Sequence, residues 1–130
     1  MINTEISPYE RLGGEQAVRK LVNDFYDIMD TLPEAQHIRA MHPQDMSTSR
    51  DKLFKFLSGW LGGPQLYIEE YGHPRLRARH LSFSIGEAER DAWMHCMEKA
   101  LGNMEMDELM RSHLTQSLWK TADHMRNQEV

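Results

Sequence analysis

Apolar residues recur every three or four positions along nearly the whole chain, and the alternating pattern of a half-buried strand is essentially absent. From Glu15 to Leu32 the stripe is Val18, Leu21, Val22, Phe25, Ile28, Met29 and Leu32, one face of a helix. A second stripe runs through Leu53, Phe56, Leu57, Trp60 and Leu61. A third comprises Ala88, Ala92, Trp93, Cys96, Met97 and Ala100. A fourth, over roughly Asp107 to Asn127, comprises Leu109, Met110, Leu114, Leu118, Thr121, Ala122 and Met125. Helices with one apolar face each must bury those faces on one another. The expected fold is therefore all-α, with four main helices and some short ones.

Glycine and proline punctuate these stripes. Pro8 to Leu12 reads as one short helical turn, stopped by Gly13-Gly14, where positive φ carries little steric cost. Pro33 ends the first long helix. Residues 34–41 read as a short helical piece, and "HPQD" as a turn, because the residue before proline avoids helical angles. Ser47 or Thr48 is expected to cap the second long helix, and Gly62-Gly63-Pro64 to end it sharply. Residues 65–73 show no clean period and read as a loop. Pro74 is placed in the first turn of a short helix carrying Leu76 and His80. "SIGE" at Ser84–Glu87 matches a capping box that opens the third long helix, and Gly102-Asn103 breaks it. No repeats, linkers or low-complexity segments occur. A single domain over residues 1–130 is expected, long enough to bury a core without staples.

The net charge of −5 argues against a nucleic-acid partner. The single cysteine, Cys96, allows no internal disulfide and suits a reducing compartment; on the buried face of its helix it reads as a structural thiol. "MINTEISPYE" lacks the basic start and apolar run of a leader, and no apolar stretch approaches the ~20 residues of a membrane span. The expected location is the cytoplasm, with no membrane association. Ten methionines suggest an adaptable core or a pocket lining.

In this acidic chain, "GHPRLRARHLSF" gathers His73, Arg75, Arg77, Arg79 and His80 into one short stretch. There is no HExxH or CxxC pattern for zinc, no CxxCH for covalent haem, and no glycine-rich phosphate loop. One reading of the run is a solvated face whose arginines pair with the excess acid. The other starts from His80, which lies among Leu76, Leu81 and Phe83 with Arg79 beside it. An axial nitrogen on an apolar side, next to a cation for carboxylates, is what haem requires.

"HPRLRARH" followed by "ERDAWMHCM" resembles the group II truncated haemoglobins, small globins with two-over-two helical stacking. "YERLGG", "FYDIM" and "FLSGWLGGP" fit the same family in order, so the resemblance runs from about Tyr9 to Met125. It implies a truncated globin fold around non-covalent haem b, with His80 as proximal iron ligand. Tyr26, His42 and Trp93 are implied on the distal side, where their donors would stabilise a bound ligand. His42 stands where the family most often has tyrosine or phenylalanine. Ser49 and Leu53 would face the distal cavity, and Lys52, Tyr67 and Arg79 would meet the haem propionates. Phe25, Phe56, Leu57, Leu76, Phe83 and Met97 are expected against haem, although core filling fits Phe25, Phe56, Phe83, Met94 and Met97 equally well. His73, His95, His113 and His124 read as surface or capping histidines.

The implied function is tight binding of O₂ and other diatomic ligands, with slow release. That is a poor design for bulk oxygen transport and suits capture, sensing or redox chemistry. Nitric oxide oxidation and a peroxidase-like activity are open variants. Both would need an external reductase, since no flavin or nicotinamide motif is present. The rival from another class is a haem-free helical interaction domain.

Overall fold

The computed structural model describes residues 6–128. Met1–Glu5, half of the stretch read as leader-free, lie outside these residues. The helices are α1 (Pro8–Leu12), α2 (Glu15–Thr31), α3 (Gln36–Arg39), α4 (Ser47–Trp60), α5 (Leu66–Tyr71), α6 (Leu76–His80), α7 (Glu87–Gly102) and α8 (Glu108–His124), with a 3₁₀ turn at Pro33–Ala35. Among the described residues there is no strand, and no helix is long and apolar enough to cross a membrane.

The long helices α2, α4, α7 and α8 form two pairs. α2 packs on α4, α7 packs on α8, and the α2–α7 contact joins the pairs. The stripe on α2 buries Val18, Leu21, Val22, Phe25, Tyr26 and Met29. It meets Ala92, Met94, Cys96, Met97, Ala100 and Leu101 of α7 within one core. Met29, Met94 and Met97 are fully buried there, so much of the methionine content fills the core.

Local signals set most element ends, and several lie elsewhere than expected. Ser7 caps α1 by accepting from the Glu10 N–H, and the positive φ values of Gly13 (124°) and Gly14 (75°) turn the chain into α2. Neither Ser47 nor Thr48 caps α4. Asp45 accepts from the Ser47 N–H at 2.9 Å instead. The expected loop 65–73 contains α5. Tyr67 is its one buried residue, so no stripe marks it. Pro74 stands outside α6. Arg75 occupies the cap position in a left-handed conformation, φ 46° and ψ 53°.

Only half of a capping box forms at α7, two residues later than "SIGE" indicates, because glycine has no side chain to accept a bond. Gly86 is the cap, and Glu89 accepts its N–H at 2.7 Å. Asp107 is itself the cap of α8 rather than its first residue, accepting from the Met110 N–H at 2.8 Å. Leu109, expected on the apolar face of α8, is 68% exposed.

Candidate functional site

The apolar face of α4 divides between two environments. Phe54, Leu57 and Ser58 are buried on the helix, whereas Leu53 and Phe56 are only half-buried. The side chains of Leu53, Phe56 and Leu57 line a cavity of about 530 Å³, within the ~300–1,000 Å³ range of small-molecule and cofactor pockets. α2, α3 with the turn after it, α5, α6 with the segment after it, α7 and α8 supply the rest of its wall.

This cavity brings together Tyr26, His42, Ser49, Lys52, Leu53, Phe56, Leu57, Tyr67, Leu76, Arg79, His80, Phe83 and Trp93, which the sequence scatters over more than half the chain. Phe25 and Met97, expected against haem, are not on its wall. Both are fully buried in the core behind it. Phe25 packs against the rings of Tyr26 and Trp93, each at 4.9 Å between centroids, and so supports two cavity residues from behind. Sequence reasoning missed other parts of the wall, among them Met41, Ile85, Leu118 and Met125. Leu118 and Met125 were assigned to an apolar face, but periodicity does not say what that face meets.

His80 is half-buried at the end of α6. Its Nδ1 lies 2.6 Å from the carbonyl oxygen of Leu76. A carbonyl only accepts, so Nδ1 carries a proton, and in the neutral ring Nε2 keeps a free lone pair. Metal-bound histidines commonly commit their second nitrogen in this way, which fixes tautomer and orientation together.

His42 has the same arrangement, with Nδ1 2.8 Å from the Ile38 carbonyl. While its ring is neutral, Nε2 is an acceptor. Its ring packs edge-on to Tyr26 at 5.7 Å. The Tyr26 hydroxyl donates to the Ser49 carbonyl across a long 3.4 Å. Burial pushes the phenol up to about 12, against a smaller opposing pull from the Arg50 guanidinium. Trp93 is half-buried on α7, and among the described residues its indole N–H has no hydrogen-bond partner.

The rim is cationic. Lys52 and Arg79 are exposed on the cavity edge and pair with no carboxylate among the described residues; Lys55, nearby, pairs with Asp51 and Glu70. The Arg79 guanidinium lies 5.8 Å over the Tyr67 ring, and the Lys52 ammonium 5.4 Å over the Tyr71 ring. The other four histidines named from sequence, His73, His95, His113 and His124, are exposed.

The profile of the bacterial-like globins matches residues 7–127. The chain belongs to the bacterial-like globin family. Several of its relatives are group II truncated haemoglobins. The globin is 40% identical to the group 2 truncated hemoglobin YjbI of Bacillus subtilis, over 94% of this chain and 89% of that one. It is similar in structure to the group II 2-on-2 hemoglobin of Agrobacterium tumefaciens, with TM-score 0.94 and 43% identity, over 99% of this chain and all of that one. The cold-adapted truncated hemoglobin of Pseudoalteromonas haloplanktis gives TM-score 0.93 and 46% identity, over 95% of this chain and all of that one. Membership in this group carries a haem cofactor and a role in haem and oxygen binding.

The donor set fits that cofactor. One imidazole nitrogen is free and held in a single tautomer, the neighbouring walls are apolar, and unpaired cations stand at the edge where carboxylates would emerge.

Proposed function

We propose that the cavity holds non-covalent haem b, that His80 Nε2 is the one protein ligand to its iron, and that this globin captures O₂ and similar diatomic ligands tightly. The observation that carries the reading is the commitment of His80 Nδ1 to the Leu76 carbonyl, which leaves Nε2 free beside an apolar wall. Haem, when bound, would supply an iron atom able to take up a small ligand.

Side chains do the rest. Trp93 has one donor and no acceptor, so its indole can stabilise a ligand bearing negative charge without any proton shift. Tyr26 is a second donor. Its bond to Ser49 is long, so releasing it to a ligand costs little, and burial keeps the hydroxyl protonated. His42 contributes an acceptor. Donors already oriented toward developing charge favour retention over release, which suits capture more than bulk transport. Lys52 and Arg79, the latter over the Tyr67 ring, would hold the propionates at the rim. The reading places the globin in the cytoplasm, where reductants would keep the iron ferrous. Nitric oxide oxidation or peroxide chemistry would draw electrons from a separate reductase.

The test is a visible absorption spectrum of the purified chain loaded with haemin. A Soret band that acid–acetone extraction removes, with a pyridine adduct matching haem b, is the expected result. A chain that takes up no haemin would overturn the reading, and a band retained by the extracted protein would overturn non-covalent binding.

A further inference from the structure

The helix that carries His80 has no buried residue. Five residues of helix do not hold themselves together in water, and residues 81–84, which follow, are all exposed. Core packing therefore does little to fix the backbone at His80. The end of the described chain supplies the missing restraint.

Asn127 Nδ2 donates to the carbonyl of Phe83 at 2.7 Å and to the carbonyl of His80 itself at 3.3 Å. Its Oδ1 accepts from the Ile85 N–H at 2.9 Å. The backbone N–H groups of Asn127 and Gln128 both donate to the Ile85 carbonyl, at 2.8 and 3.1 Å. A primary amide has two N–H donors and one oxygen, and Asn127 uses both kinds of atom here. Because the carbonyls can only accept and the Ile85 N–H can only donate, the amide can face only one way.

Asn127 is itself anchored. Asp123 accepts from Arg90 and from Arg126, each at 2.6 Å, and Arg77 of α6 donates to the Arg126 carbonyl at 3.4 Å. The turn after α8 thus forms a strap across the segment that leads from His80 to α7.

We infer that Asn127 is a positioning residue for His80, tying the C-terminal end of α6 to the end of α8 and so setting where the imidazole stands toward haem. This rests on the reading of His80 as the iron ligand. Removing the side chain frees the Phe83 carbonyl and the Ile85 N–H and leaves the His80 carbonyl with the Phe83 N–H, at 3.0 Å, in place of two donors, while the two backbone bonds of the strap remain.

The test uses the haem-loaded protein and its haem-free form. In the ferrous protein without added ligand, the iron–histidine stretching band in resonance Raman reports the bond to His80. Asn127→Ala is expected to shift or broaden that band and to speed haem transfer to a scavenging protein by about tenfold. Amide exchange should accelerate from Leu81 to Ile85 in both forms, while the amides of α2 keep their rates. Asn127→Asp retains an acceptor for the Ile85 N–H but loses both donors. Exchange at Ile85 should then stay slow, while the Raman band moves as in the alanine variant. A band unmoved in both variants overturns the inference even if the melting temperature falls, because Asn127 would then be a general stabiliser. A parent protein with no iron–histidine band is a different failure: the reading of His80 falls first, and the inference with it.

Discussion

The Nδ1–H of His80 donates to the carbonyl of Leu76, one helical turn earlier, at 2.6 Å. That bond selects a tautomer and fixes the ring against its own helix, while the placement of the helix is left to contacts outside it. His73 has a different role: its Nδ1 accepts from the Arg75 N–H at 3.1 Å in the exposed turn before α6. His80→Ala should therefore purify largely without haem, or lose it quickly, whereas His73→Ala should keep it. The ratio of Soret to protein absorbance in the two variants checks this, and full haem retention by His80→Ala would remove His80 from the role.

Trp93 offers a donor with no partner among the described residues. A hydrogen bond to a charged or strongly polarised group is worth roughly 1.5–3 kcal/mol. Trp93→Phe keeps most of the ring volume and deletes the donor. It should speed O₂ release by about one to two powers of ten, since ~1.4 kcal/mol is tenfold. Carbon monoxide bears less negative charge when bound, so its release should change less. Stopped-flow release rates for both gases decide the matter; equal acceleration would mean that the indole only blocks the pocket.

Tyr26 links the site to alkaline stability. Its phenol titrates near the usual 10 in the unfolded chain and is pushed up to about 12 by burial in the folded one. Above pH 10 the unfolded state releases a proton that the folded state keeps. The contribution is therefore full below pH 10 and is lost as pH rises through 12, to a limit of about 3 kcal/mol. Denaturant unfolding at pH 9, 10 and 11 should show a steeper decline for the parent than for Tyr26→Phe. Parallel declines would place the hydroxyl in a wetter setting than the structure gives it.

Gly63 owes its identity to close approach. A Cβ there would run into the ring of Tyr9, which lies across the second glycine pair, while the Tyr9 N–H donates to the Leu61 carbonyl at 2.9 Å. The pair thus does more than stop α4; it seats the N-terminal helix on it. Gly63→Ala should lower stability by about 1–3 kcal/mol, the usual cost of overpacking. Adding Tyr9→Ala should recover part of that loss in a double-mutant cycle. Simple additivity would show that the clash is relieved elsewhere.

Much of this architecture could be read along the chain. A period of 3.6 and the positions of glycine and proline are local properties, so the four long helices and both glycine pairs were legible without any tertiary information. α5 was not, because a helix that buries only Tyr67 leaves no stripe to detect. The site was legible as residue types at family-like positions, His80, Tyr26 and Trp93 above all. Their packing was not. The apolar arc of a helix is wide enough to face a core and a cavity at once, so nothing local separates Phe25, behind the wall, from Phe56, on it.

The sequence by itself determined the four long helices, the glycine and proline breaks between them, and that one histidine stands among apolar and basic neighbours. Only the tertiary structure decided what those side chains can do. The donors and acceptors of His80 and His42 depend on carbonyls that the helix ends bring within reach. The restraint on His80 comes from Asn127, 47 residues away. No pattern along the chain records that contact, because a single amide bonding distant backbone atoms leaves no periodicity and exists only once α8 has packed against α7.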